Sequence, residues 1–224
     1  RQSGKTTLCK QVFPDYAYVN LEDIAVREQA ATDPKAFLSA YTQGVIIDEA
    51  QNYPELFSYI QVISDANPDR RYVITGSSNF SLLENISQSL AGRAAVLTLL
   101  PLSLQELDGL ATTDVSTDTL LLRGCYPAVW AGIQPYHLLY PNYYTTYVER
   151  DVRRIVNVTN LRDFQTFIRL AAGRVGTEFN ASALSNAVGV SVKTIQSWLS
   201  ILTASYITFT LSPFYENIGK RLIK

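Results

Sequence analysis

Val45-Ile46-Ile47 is apolar at every position and ends abruptly in Asp48-Glu49. Tyr72-Val73-Ile74 does the same and ends in Thr75-Gly76-Ser77. A strand with one face in water alternates apolar and polar side chains. A run without alternation fits a strand covered on both faces. Helical patterns fill the stretches around these runs. Residues 4–12, 22–31, 34–41 (with Pro34 as a start signal), 54–64 (with Leu56, Ile60 and Ile63 on one face) and 82–90 read as helices. Residues 16–21 and 94–100 read as two further strands. Strands alternating with helices predict an α/β class, a parallel sheet flanked by helices.

After Pro101 the character changes. Residues 112–119, rich in Thr, Asp and Ser, form a polar loop that suits a boundary. The chain then reads as a core over 1–112, a helical segment over 113–178 and a winged-helix-like region over 179–224. In the middle segment Pro141 starts a helix with an apolar stripe of Tyr144, Val148, Val152 and Ile155. Glu149, Arg150, Asp151, Arg153 and Arg154 lie off that stripe, either as a solvated ion-paired face or as a relay between domains. Tyr136, Tyr140, Tyr143, Tyr144 and Tyr147 recur at helical spacing, which favours packing over base stacking. Residues 161–172 form another helix, closed by Gly173.

Residues 181–203 read as a helix-turn-helix. Ala181 to Leu184 opens the first helix, Gly189 is the turn, and Ser191 caps the second, over 192–202. Ile195, Trp198, Leu199 and Leu202 are its apolar set. Lys193, Thr194, Gln196 and Ser197 then face outward, residue types that contact phosphates and bases. Residues 206–211 read as a wing strand. Such a fold serves either DNA contact or packing against protein.

Composition removes whole classes of function. Of 224 residues, 47% are hydrophobic and 17% charged, too apolar a balance for a disordered chain. No apolar run approaches the ~18 residues of a membrane span. Cys9 and Cys125 are the two cysteines and His137 the one histidine. That excludes a disulfide framework, leaves little for a zinc site, and makes Ser-His-Asp or Cys-His hydrolysis depend on one histidine with no local signature. Two distant cysteines fit a reducing compartment, and the expected location is cytoplasmic. The net charge is −1, yet residues 180–224 hold Lys193, Lys220, Arg221 and Lys224 against Glu216 alone. That basic end hints at an anionic partner.

Ser3-Gly4-Lys5-Thr6-Thr7 has the form of the second half of a phosphate-binding loop, G-x-x-x-x-G-K-[ST]. Gly4 permits a tight turn around an anion, and the amides opening the next helix point at it. Lys5 would neutralise β- and γ-phosphate charge, and the Thr6 hydroxyl would hold Mg²⁺. Asp48, at the ligand-binding end of a parallel strand, can hold the metal through its water shell. Glu49 beside it can polarise an attacking water. Alternatively, Asp48 and Glu49 cap the next turn. Ser77 and Asn79 are candidates to touch the γ-phosphate or the water; alternatively, Ser78 or Asn79 caps the following helix. Arg93 reaches a γ-phosphate in cis or from a neighbouring subunit, or else braces a loop.

Together these residues resemble the AAA-type predicted ATPases of bacteria and archaea. Further matches are Ser89-Leu90-Ala91-Gly92-Arg93, Leu100-Pro101-Leu102-Ser103, Gly124-Cys125-Tyr126-Pro127 and Tyr147-Val148-Glu149-Arg150-Asp151-Val152. The resemblance implies a P-loop NTPase core followed by a C-terminal domain of uncharacterised function. It also implies ATP rather than GTP, in agreement with the lack of an Asn-Lys-x-Asp motif. The expected activity is a Mg²⁺-dependent ATPase whose hydrolysis drives a domain rearrangement. It would act on DNA or a protein partner through residues 179–224, with a homo-oligomer as one arrangement open to it. The competing expectation is a slow nucleotide-gated switch or a DNA-binding regulator. A kinase is a third reading, against which the Asp48-Glu49 pair argues for water as nucleophile. The departures lie at the ends: the strand and first glycine of the loop are missing, and the winged-helix-like region reads as truncated, stopping at Lys224 where the family continues; the sequence also holds no methionine. A fragment is therefore expected, poorly soluble and inactive when expressed alone.

Overall fold

The structure, a computed structural model, describes residues 2–77, 86, 88–108, 115–146, 160–212 and 214. The chain divides into two units, residues 1–134 and 135–224.

In the first unit Gly4 turns with φ 87° into α1 (Lys5–Val12). There follow β1 (Ala17–Asn20), α2 (Ile24–Thr32), α3 (Pro34–Ser39), β2 (Val45–Asp48), a 3₁₀ turn over Ala50–Asn52, α4 (Leu56–Ala66) and β3 (Tyr72–Ile74). The strands are parallel in the order β1-β2-β3, with Ile47 paired to Val19 on one side and Ile74 on the other. β2 is the middle strand, and Val45, Ile46 and Ile47 are wholly buried, as a run without alternation requires. Asp23 caps α2 by accepting from the Ala25 and Val26 amides, and Asp33 caps α3 just ahead of Pro34. These caps fix where the helices start. Leu38 of α3 and Leu56, Phe57 and Ile60 of α4 pack together with Leu21, Val45 and Ile47. Each large side chain so buried stabilises the fold by about 1.5–3 kcal/mol.

The strand expected over 94–100 does not form. That stretch is exposed along nearly its whole length, with Leu97 the extreme at 91%. A strand exists only through its hydrogen-bonded neighbour, and no described strand runs beside this one. Of the helix expected over 82–90, residues 86, 88 and 89 are helical, Leu90 is not, and the rest lies outside the described residues. The unit continues through α5 (Leu104–Asp108), α6 (Thr117–Arg123) and α7 (Pro127–Trp130). α7 lies beside the loop that opens α1: a Cβ added at Gly4 would stand 3.7 Å from Cγ of Pro127.

The second unit holds α8 (Tyr136–Tyr143), α9 (Leu161–Ala172), α10 (Ala181–Val188) and α11 (Val192–Ala204). Pro141 sits inside α8 instead of starting a helix. Pro135 fills the start position with its own extended backbone, and the missing Pro141 amide is followed by a wider, π-type turn over 144–146. Val148, Val152 and Ile155, with the Glu149, Arg150, Asp151, Arg153 and Arg154 face, lie outside the described residues. Tyr143 and Tyr144 pack against a core of Phe164, Phe167, Leu184, Ile195, Trp198 and Leu202. The Trp198 ring meets Phe164 edge-on at 5.2 Å.

α10 and α11 form the expected helix pair, with Gly189 (φ 82°) as the left-handed turn and Ser191 as the cap. Lys193, Gln196 and Ser197 are exposed. Thr194 is half-buried and joins the cap: its amide donates to Ser191 Oγ at 3.1 Å and the two hydroxyls lie 2.8 Å apart. No wing strand forms over 206–211. Tyr206 adopts φ 58°, the Ile207 amide turns back to the Leu202 carbonyl, and Phe209 and Leu211 stand 80% and 86% exposed. Among the described residues no helix is long and apolar enough to cross a membrane.

Candidate phosphate and metal site

Parallel strands all deliver their carboxyl ends to one edge, and that edge carries the site. Asp48 closes β2, Thr75 and Ser77 follow β3, and α1 sets Lys5 and Thr6 opposite them. The helical ladder of α1 begins with the Leu8 amide on the Gly4 carbonyl at 2.9 Å. The amides of Lys5, Thr6 and Thr7 therefore have no partner within the helix. Ser3 is buried to 8% exposure, and its Oγ has no hydrogen-bond partner among the described residues. A buried hydroxyl without a partner is costly unless something else supplies one.

Asp48 is the centre of the site. Its Oδ2 accepts from Thr6 Oγ1 at 2.7 Å and Tyr18 OH at 2.9 Å. Its Oδ1 accepts from the Glu49 amide at 3.0 Å and from the Thr75 hydroxyl. Burial pushes the Asp48 pKa up, but the bonds from Thr75, Thr6, Tyr18 and the Glu49 amide outweigh it and hold the carboxyl below its ordinary value. The group is thus a carboxylate at neutral pH. Tyr18 responds in the opposite sense: burial first, then its bond to Asp48, pushes its pKa up to about 12. Lys10 Nζ sits 3.4 Å from the centre of the Tyr18 ring.

Glu49 adopts φ 53°, ψ 41°, a left-handed conformation that is unusual for this residue type. It turns the side chain off the strand line, where Oε2 accepts from Ser77 Oγ at 2.7 Å and Gln51 Nε2 at 2.5 Å. Ser77 thus meets Glu49. Asn79 and Ser78 lie outside the described residues. Cys9 lies one turn along α1 from Lys5: burial and the charge of Asp48 push its thiol pKa up, against a smaller opposing pull from Lys5.

Arg93 does not join this group. It makes a bidentate pair with Asp65, Nε–Oδ1 2.6 Å and NH2–Oδ2 3.1 Å. Asp65 lies at the end of α4, the crossover from β2 to the parallel β3. A crossover helix runs back against the strands, so its end lies at the edge opposite Asp48. The cis role for Arg93 has no support in this geometry.

Sequence reasoning passed over Thr75, Tyr18 and Gln51 as donors. Thr75 had a signal: extending the Ile47–Ile74 register by one residue sets it beside Asp48. Gln51 follows Glu49 by two, within reach on any tight turn. Tyr18 had none, because it meets Asp48 only once the strand order is known.

These residues fit a polyphosphate and a divalent cation. Open amides at a helix start, the unpartnered Ser3 hydroxyl and the Lys5 ammonium suit an anion, and the Thr6–Asp48 pair suits a hard cation. Comparisons with known proteins agree in kind. Residues 1–108 match the model of the family described as AAA domain, and residues 115–224 match a Domain of unknown function (DUF8612). Two curated relatives, "Uncharacterized protein Mb2031c" of Mycobacterium bovis and "Uncharacterized protein Rv2008c" of Mycobacterium tuberculosis, are each 30% identical over 240 residues. The matches cover 99% of this chain, which spans about half the length of those relatives. On its α/β part the chain is similar to AAA domains, and that similarity points to a nucleotide-binding, AAA-like ATPase module followed by a domain of unknown function.

Proposed function

We propose that the full-length protein carrying this sequence binds ATP with Mg²⁺ and hydrolyses it, and that the cycle drives a rearrangement between its parts. The observation that carries this is the 2.7 Å bond from Thr6 to Asp48, which ties the start of α1 to the end of β2 with Glu49 alongside. Ser3, Gly4, Lys5, Thr6 and Thr7 bind the phosphates through hydroxyl, amide and ammonium groups. Thr6 and Asp48 hold the cation, which when bound neutralises charge that develops on the phosphates. Glu49 takes a proton from water, and Ser77 and Asn79 orient water or the γ-phosphate. Arg93, paired with Asp65 and exposed, suits a role toward a neighbouring subunit. In this reading residues 1–112 are the motor, 113–178 the connection and 179–224 the part that meets DNA or a protein.

The test is a binding titration with a fluorescent ATP analogue and Mg²⁺, alongside a turnover assay. Lys5→Ala weakens binding roughly tenfold to a hundredfold, the loss of one charge-assisted contact set. Glu49→Gln leaves binding intact and slows turnover by about 10²–10⁴-fold. Unchanged affinity in the first variant or unchanged turnover in the second removes the role given to that residue.

One observation favours the slower, switch-like reading. Both donors on Glu49 sit on a single oxygen, Oε2, and hold it toward Ser77 and Gln51. Gln51→Leu removes one donor. Under the switch reading it raises basal turnover severalfold; under the turnover reading it leaves the rate unchanged or lower.

A further inference from the structure

An ionised carboxylate offers about four lone-pair positions. Asp48 already has four donors: Thr6, Tyr18, Thr75 and the Glu49 amide. On the reading of this edge as a Mg²⁺-nucleotide site, the cation needs one of those positions for itself or for a water it carries. Three donors cannot leave. The Glu49 amide is backbone. Thr75 is 5% exposed and fixed by its own amide on the Ile47 carbonyl (2.9 Å) and by its carbonyl accepting from the Ala50 amide (3.1 Å). Thr6 can offer a lone pair to a cation while its hydrogen stays on Asp48. Tyr18 differs from all three. It stands on β1, on the outer side of the three-stranded order, is 37% exposed, and has the Lys10 ammonium over its ring.

We propose that Tyr18 is a gate on the metal carboxylate: its hydroxyl competes with the divalent cation for Oδ2 of Asp48 and swings away when cation and nucleotide enter. A merely orienting tyrosine would act with the opposite sign, because losing it would weaken the cation site.

The experiment is a Mg²⁺ titration of fluorescent-ATP-analogue binding by the parent and by Tyr18→Phe. Tyr18→Phe half-saturates at roughly three- to tenfold lower Mg²⁺, the net worth of one ordinary hydrogen bond at this half-exposed position. A second readout watches the native side chain: 3-fluorotyrosine at position 18 moves its ¹⁹F resonance on adding Mg²⁺ with the analogue, and holds still with the analogue in EDTA. An unchanged or raised Mg²⁺ requirement in Tyr18→Phe, or a resonance indifferent to Mg²⁺, overturns the gate while leaving the nucleotide site standing. Absence of Mg²⁺-dependent binding by the parent overturns both.

Discussion

Asp48 shows how much of a site one residue organises. Its charge is stabilised by four donors drawn from α1, β1, the turn after β2 and the residue after β3. Stability follows pH accordingly. The folded carboxyl titrates below its unfolded value of about 3.9, so its contribution is complete above that value and is lost as pH falls through the folded one. Urea unfolding at pH 5 and pH 3 checks this: the parent loses more stability between the two than Asp48→Asn, which has no such proton to bind. Equal losses would mean that the bonds do not favour the ionised form.

At the scale of elements, what could be read from the sequence was what is local. β2 was legible because Val45-Ile46-Ile47 has no alternation, α1 because Gly4 precedes a helical pattern, and the α10–α11 turn because Gly189 sits between an apolar stripe and a serine cap. Of the candidate residues singled out by the sequence pattern, Thr6, Asp48, Glu49 and Ser77 are brought together by hydrogen bonds. What was not legible depends on distant partners. Residues 94–100 have strand chemistry, but no described strand runs beside them. Tyr18 finds Asp48 across thirty positions, and Arg93 finds Asp65 across twenty-eight. Pro141 misled because a proline reads as a start, whereas Pro135 had already taken that place. The Gly189 turn yields a direct test. A Cβ there would meet nothing within 4 Å, so Gly189→Ala costs only the left-handed backbone, about 1–2 kcal/mol. Thermal unfolding of the second unit should fall by that amount with nucleotide affinity unchanged. A larger loss would reveal packing at the turn.

The whole molecule carries two tryptophans, Trp130 in the first unit and Trp198 in the core of the second. A ligand that binds only the folded first unit stabilises it by RT ln(1 + [L]/Kd), about 2.7 kcal/mol at a hundredfold excess over Kd. Trp198→Phe leaves Trp130 as sole reporter, and its unfolding transition should rise with Mg²⁺ and the ATP analogue. A transition that stays put places binding elsewhere. The left-handed Glu49 has a consequence for anyone breeding sturdier versions of this protein. Asparagine tolerates that backbone far better than glutamate, so Glu49→Asn gains up to about 1 kcal/mol of stability while removing the carboxylate proposed as the base. A melting curve paired with a turnover assay shows the exchange as a higher midpoint and a dead enzyme. A laboratory selection scored on heat resistance alone would then drift toward asparagine at this position and lose the activity. A useful screen must ask for work as well as endurance.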